Sequence, residues 1–407
     1  MSSELPDGWR FDALTNLALQ VKRGAAPSYA SEPTGFTAIS QKCVRDGIID
    51  LSASRPHNAS KAVPSKALLQ SGDVCVNSTG TGTLGRVALW ARDEINCFAD
   101  THVTIVRPDQ SKVVPFMLAS FLGAPSTKET IYRECVTGST NQIELSASAF
   151  GQLVVPVPPL DEQRRIAEVL RSVDEAVAAN TALLDGVKAT KQGTMEAALS
   201  GGFERVRLET LLADTRYPMR SGPFGSALLK SELQPEGIPF LGIDNVHVER
   251  FVPVYRRFVS DEKYQELARY TVYPGDVMVT IMGTVGRCCV VPPDVDTAIS
   301  SKHVWTLTLD QERYSPALLA WQINHSPSVL AQLQGSAQGG IMSAISSGTL
   351  RDLLVPLPSP HEVREIETLL LSFNGQIAAL EVEQETLSAL KSAVMSDLLT
   401  GRVRVPA

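Results

Sequence analysis

The chain has 407 residues, 43% hydrophobic and 20% charged, long enough for two domains with separate cores. Its net charge of −7 gives no bulk indication of nucleic-acid binding. No run of about 18 apolar residues is present to cross a membrane, and Met1-Ser2-Ser3-Glu4-Leu5-Pro6 does not open a signal peptide, so a cytosolic protein is expected.

In chain order, Leu5-Pro6-Asp7-Gly8-Trp9 reads as a turn leading into an amphipathic segment over 14–21. Strand character follows at 36–39, 48–51, 73–77, 85–90 and 102–106, and 114–122 reads as a short helix. Val155-Pro156-Val157-Pro158 then introduces a long helical stretch that closes at Leu199-Ser200-Gly201. The second half repeats the order. Arg205 to Leu208 opens it, 239–243, 275–280 and 288–291 read as strands, and 316–323 as a helix. Val355-Pro356-Leu357-Pro358 introduces a second long helix ending at Leu399-Thr400-Gly401.

The second copy of the helix lies 200 residues after the first without a gap (355 against 155, 401 against 201). Apolar residues fall at steps of four and three: Ile166, Leu170, Val173, Val177, Leu184 and Val187, then Ile366, Leu370, Phe373, Ile377, Leu380 and Leu387. A spacing near 3.5 predicts a coiled-coil seam. Asn180 and Gln384 are polar seam positions suited to fixing register, and Gly186, Gly193 and Gly375 weaken the helices locally. Within the globular parts, Gly72-Asp73-Val74 parallels Gly275-Asp276-Val277, Gly85-Arg86 parallels Gly286-Arg287, and His102-Val103 parallels His303-Val304. Gly138-Ser139-Thr140-Asn141 parallels Gly335-Ser336-Ala337-Gln338. The chain is a tandem duplication with the plan domain, helix, domain, helix.

Regional charge refines the balance. Residues 1–160 hold 14 basic and 14 acidic side chains and 203–360 hold 14 and 16, whereas 161–202 hold 5 and 7 and 361–407 hold 4 and 7. The globular parts are thus near neutral and free to carry a basic face. Six cysteines (Cys43, Cys75, Cys97, Cys135, Cys288, Cys289) form no Cys-x-x-Cys pair, so buried reduced thiols are expected. Gly80-Thr81-Gly82-Thr83-Leu84-Gly85 fits Gly-x-Gly-x-x-Gly, but a dinucleotide site needs a helix after the last glycine. Here Arg86 to Trp90 reads as a strand, so a tight turn with hydroxyls at its tip is expected. No Walker loop, Gly-x-Ser-x-Gly elbow or His-Glu-x-x-His motif occurs. His102 and His303 lack ligand partners and read as hydrogen-bonded strand starts. Asp73 and Asp276, in Gly-Asp turns, read as caps of backbone amides.

Taken together, these residues resemble the specificity subunits of type I restriction-modification systems. The resemblance rests on the Leu5-Pro6-Asp7-Gly8-Trp9 opening, the Gly-Asp-Val strand with its Gly-Arg turn, and the Val-Pro-x-Pro leaders. It rests also on Asp161-Glu162-Gln163-Arg164-Arg165-Ile166, similar to the family's Glu-Gln-x-x-Ile helix start; the second helix departs from it, with Val363 where the first has Gln163. The resemblance implies an α+β fold of two target-recognition domains, 1–158 and 203–358, separated by two long helices, 159–202 and 359–407. A helix of about 38 residues is about 57 Å long. Packed as an antiparallel, pseudo-twofold pair, the helices would set the spacing between two DNA half-sites.

The implied activity is non-catalytic: the chain reads a bipartite double-stranded DNA target and docks two methyltransferase subunits, and through them motor-nuclease subunits, in a prokaryotic cytoplasm. No cofactor is expected in this chain, with S-adenosylmethionine, ATP and Mg belonging to the partners, and no metal site. Candidate DNA-reading residues are polar loop positions in the two copies. In the first they are Lys22, Arg23, Gln41, Lys42, Asn77, Ser78, Thr79, Thr81, Thr83, Arg86, Ser139, Asn141 and Gln142. In the second they are Arg220, Ser221, Lys230, Asp244, Asn245, His247, Thr284, Arg287, Ser336 and Gln338. Arg and Lys suit guanine edges and phosphates, Asn and Gln suit adenine, and the recurring Arg86 and Arg287 stand out, either as readers or as clamps of their own turns. Two other readings stay open: a paired-domain adaptor for protein or another nucleic acid, and a dinucleotide-binding enzyme using Gly80 to Gly85.

Overall fold

The computed structural model describes residues 5–32, 35–58, 60–93, 96–138, 143–335 and 345–405. These divide into two compact units, Met1–Thr181 with Val382–Ala407, and Ala182–Glu381. The division passes through both long helices, Leu160–Leu199 and Pro360–Thr400, so each unit holds one globular part and a half of each helix.

In the first unit the strand Asp73–Asn77 is buried along its whole length, as a strand covered on both faces must be. It pairs antiparallel with Val87–Trp90 and Val103–Pro108, and the latter pairs with Ala18–Arg23. Side-chain alternation divides the core. Val74 and Val76 face Leu118 and Leu122 of the helix Pro115–Gly123, while Cys75 on the other face packs with Ile39, Val44 and Trp90. A second sheet places Phe36–Ile39 antiparallel to Arg55–His57 and parallel to Cys97–Ala99. Arg10–Ala13 pairs with Val154–Val157, so the opening strand lies beside the one that leads into the first long helix.

The second unit is built in the same order. Val277–Thr280 pairs with Cys288–Val290 and Val304–Leu307, and the last with Met219–Ser221. Ile238–Leu241 lies antiparallel to Phe258–Val259 and parallel to Ala298–Ser300, with Thr271–Val272 added beyond. Arg205–Arg207 pairs with Leu354–Pro356. The matching crossings force matching glycines: a Cβ on Gly24 would stand 1.9 Å from Ala99 O, and one on Gly222 2.0 Å from Ser300 O. Asp73 and Asp276 accept from the amides of Gln70 (2.8 Å) and Tyr273 (2.7 Å). Each also takes an arginine, Arg107 bidentate on Asp73 and Arg220 on Asp276.

Two expectations change. The strand read at 48–51 is a single bridge between Val44 and Ile49 followed by a tight turn at Leu51–Ala53. Asp50 Oδ1 accepts from Ser52 N at 3.0 Å and bends the chain there. Three further helices, Pro125–Glu134, Asp261–Leu267 and Pro327–Gly335, also form. Pro125 and Pro327 open the first and third, and Ser260 caps the second through Lys263 N.

The long helices are tied down at their starts. Gln163 is fully buried; its carbonyl accepts from Val114 N (2.8 Å) and its amide donates to Lys112 O and Pro158 O. Val363 at the matching point joins the apolar core of the second unit, so the amide is a local anchor of the first copy. Glu162, also buried, accepts from Trp9 Nε1 and from Arg404, joining the first helix to the Leu5–Trp9 turn.

Every residue of the predicted seam lies on a buried or half-buried stripe. In the first unit Ile166 and Leu170 pack with Met395, Leu398 and Leu399, and Val173, Val177 and Leu387 are half-buried. In the second, Ile366 and Leu370 join Met195, and Leu184, Val187, Phe373, Ile377 and Leu380 are half-buried. In the first unit Asp174 meets Lys391 at 2.7 Å and Asn180 Nδ2 donates to Gln384 Oε1 at 2.7 Å. In the second Lys188 meets Glu381 at 2.9 Å and Lys191 donates to Asn374 at 2.7 Å. In each unit the partner number falls along the second helix as it rises along the first.

All six cysteines are buried. Burial pushes up the thiols of Cys43, Cys75, Cys135, Cys288 and Cys289, the last to about 12, so these stay protonated at neutral pH. Among the described residues no helix is long and apolar enough to cross a membrane, and no group of three metal-ligating side chains occurs.

Candidate nucleic-acid interface

In the first unit the loop after the central strand closes on itself through backbone bonds from Leu84 N to Gly80 O and from Gly85 N to Asn77 O, both 2.9 Å. The next element is the strand Val87–Trp90. The helix that would hold a dinucleotide pyrophosphate is therefore replaced by a strand, and Gly80 to Gly85 is a tight turn with a polar tip. Gln41 organises that tip: its Oε1 accepts from Thr79 Oγ1 (3.1 Å) and Thr83 Oγ1 (3.2 Å). Thr79 Oγ1 lies 2.8 Å from His102 Nδ1, and its backbone bridges Glu144. Arg23 reaches the same place, donating to Glu144 (2.8 Å) and to Leu145 O (2.9 Å). Arg23 holds the Glu144 carboxyl below the usual range. Four of the sequence candidates, Arg23, Gln41, Thr79 and Thr83, thus converge with His102 and Glu144. Lys22, Lys42 and Thr81 are exposed.

The matching region of the second unit carries charge of a different kind. Asp244 pairs with Arg257 at 2.8 Å, and His303 Nδ1 lies 3.3 Å from Met282 Sδ. Burial, then the charges of Lys302 and Arg257, hold the His303 imidazole below the ordinary histidine range, so it is neutral at physiological pH. The equivalent arginines differ in use. Arg86 donates to Gly82 O at 3.0 Å and clamps its own turn. Half-buried Arg287 has no side-chain hydrogen bond or ion pair among the described residues. Lys230 and Lys302 are exposed, while His247 and Thr284 are half-buried.

Five candidates turn inward, against the expectation of exposed loop tips. Asn77 donates to Gln41 O and Val44 O, and Ser78 lies 2.6 Å from Thr104 Oγ1; both are fully buried. Arg220 is buried against Asp276, Thr271 O and Thr308, and Ser221 is buried beside it. Asn245 accepts from Gly242 N and donates to Val252 O and Val254 O. Asn77, Ser78, Arg220 and Asn245 sit where a buried backbone group or carboxylate needs a partner, which outweighs exposure of a polar side chain, whereas the Ser221 hydroxyl meets no partner among the described residues. Ser139, Asn141, Gln142, Ser336 and Gln338 lie outside the described residues. Sequence reasoning passed over Arg257, Lys302 and Glu144. Lys302 beside the recurring His303 was the available signal, whereas Arg257 and Glu144 reach the clusters only through folding.

The two units share a duplicated α+β fold with polar groups gathered at equivalent loop ends. A family model described as type I restriction modification DNA specificity domain matches residues 60–189. The provisionally named type I restriction enzyme MjaX specificity subunit of Methanocaldococcus jannaschii is 20% identical over 421 aligned residues, covering 99% of this chain and 95% of its own. The S subunit of a type I restriction-modification system from M. genitalium is similar in structure, with a TM-score of 0.61 at 13% identity over 98% of this chain and 97% of that one. A chain from a structure concerned with complex assembly and conformational transition of the type I R-M system gives 0.58 at 20% identity, over 98% and 100%. Over nearly its whole length the chain is thus similar to type I restriction enzyme specificity subunits.

Proposed function

We propose that the chain reads a bipartite double-stranded DNA target, each globular domain (1–158 and 203–358) taking one half-site. The two long helices (159–202 and 359–407) form an antiparallel, pseudo-twofold coiled coil that sets the gap and docks two methyltransferase subunits. Through these the motor-nuclease subunits join. S-adenosylmethionine, ATP and Mg serve the partners, and the complex works in a prokaryotic cytoplasm.

The observation that carries this reading is the duplication itself. Both units repeat one sheet order, and the long helices that join them start 200 residues apart (360 against 160). Two equivalent polar loop ends on one continuous chain suit a two-part address. The charge at the ends suits DNA: Arg287, Lys230 and Lys302 offer donors to phosphate or guanine, and the Gln41 and Thr79 cluster offers amide and hydroxyl groups to base edges. The test is to co-express the chain with a type I methyltransferase subunit, map methylated adenines, and exchange residues 203–352. The proposal requires one two-part motif with a fixed gap, of which the exchange alters one half only. A complex that methylates without a two-part motif would refute it.

A further inference from the structure

The hairpin that follows the second sheet's central strand is the same in both units, with Val44 opposite Ile49 and Val246 opposite Phe251. Gly47 N donates to Val87 O and Glu249 N to Cys288 O, each at 2.8 Å, so Gly47 and Glu249 occupy one structural position. That position requires left-handed backbone: φ is 82° at Gly47 and 54° at Glu249, which alone among the described non-glycine residues has positive φ. Glycine meets this without strain, and a side chain does not. A glutamate kept here points to use of its side chain.

The carboxylate links three elements. Its oxygens lie 2.5 Å from Lys191 Nζ on the first long helix and 2.6 Å from His325 Nε2 at the end of the helix Pro316–His325. Lys191 also donates to Asn374 on the second long helix. Both side chains of the Lys191–Glu249 pair are largely buried. The first unit solves the same problem differently. Lys391, the counterpart of Lys191, takes its carboxylate from Asp174, the counterpart of Asn374. Gly47 then leaves a cavity of about 260 Å³, bordered by Leu170, Asp174, Lys128 and Lys391. Lys391 and Lys191 thus each have one carboxylate, supplied by the opposite helix for Lys391 and by the domain hairpin for Lys191.

We propose that Glu249 is a positioning residue: it fastens the second recognition domain to its half of the helix pair and so holds the second half-site at one gap length. This rests on the bipartite reading above. The discriminating variant is Glu249→Gly with Asn374→Asp, which transfers the first unit's arrangement to the second. It removes backbone strain and keeps a carboxylate for Lys191, but cuts the link between domain and helices.

The full chain in complex with a type I methyltransferase subunit is assayed on DNA whose half-sites stand at the native gap or one base pair shorter or longer. The wild type should prefer the native gap by about tenfold or more, and the double variant should prefer it by less than about threefold, with the half-site sequences unchanged. Hydrogen exchange of the free chain gives a second reading: amides of the 246–251 hairpin should exchange about tenfold faster in the variant, while those of Val277–Thr280 stay as they were. Gap preference and hairpin protection both at wild-type levels would overturn the proposal. Were no two-part motif methylated by either protein, the bipartite reading would fall, and hairpin exchange would decide the role of Glu249 alone. The reverse transplant, Gly47→Glu with Asp174→Asn, should slow exchange in the 44–49 hairpin; no change there would count against the latch.

Discussion

Arg220 divides the account of the interface most sharply, because its residue type suits DNA and its surroundings suit the core. Arg220→Met would leave Asp276, 1% exposed, without its guanidinium. Removing one partner of a buried ion pair costs about 3–5 kcal/mol. Asp276 would keep its bonds from Thr308 Oγ1 (2.5 Å) and Tyr273 N (2.7 Å), which places the loss near the lower end, about 3 kcal/mol. For a unit of the size of Ala182–Glu381, each kcal/mol lowers the melting temperature by about 2–4 °C, so a fall of about 6–12 °C is expected. Scanning calorimetry of the full chain reads this as a downward shift of one transition. Below that transition, DNA affinity should stay within about twofold of wild type, since Arg220 faces inward. An unshifted transition with DNA binding weakened about tenfold would mean that Arg220 turns outward to DNA, and would refute the inward placement.

Arg287→Ala should weaken specific DNA binding about 5- to 150-fold if the guanidinium reads guanine, or flatten the salt dependence by about one unit of slope if it contacts phosphate. Arg86→Ala, which frees only a turn carbonyl, should do neither; fluorescence anisotropy titrations across salt concentrations check both. Asn180→Leu alone should cost about 1 kcal/mol by leaving the Gln384 amide without its partner, and Asn180→Leu with Gln384→Leu should recover or exceed wild-type stability in denaturant melts. For Glu249, burial pushes the carboxyl up, but the hydrogen bonds from His325 and Lys191 outweigh it and hold the group below its ordinary value. A depressed carboxyl stabilises the fold above its unfolded value near 4.5 and loses that contribution as pH falls through the folded value. Melts of Glu249→Gln should therefore lack part of the wild type's acid sensitivity below that point.

The duplication was legible because repetition needs no knowledge of packing. Leu153 to Gly201 and Leu353 to Gly401 align without a gap, and the stripe from Ile166 to Val187 follows from helix period alone. The central strands were legible for a related reason: Gly72-Asp73 and Gly275-Asp276 mark where each begins. The interface was harder. Whether a polar side chain points out or in depends on what buried group stands opposite. Arg220 turns in because Asp276 has no other cation among the described residues, and Asn77 because Gln41 O and Val44 O need a donor. The contrast between Arg86 and Arg287, identical in motif, lies in the turn carbonyl that only Arg86 reaches. Glu249 was hidden because its partners Lys191 and His325 lie 58 and 76 residues away.

The most direct test of the central claim is the adenine methylation map left by the chain in complex with a type I methyltransferase subunit. One two-part motif with a fixed gap is expected, one half of which changes when residues 203–352 are exchanged. Methylation at a continuous motif, or an exchange that alters both halves together, would contradict it.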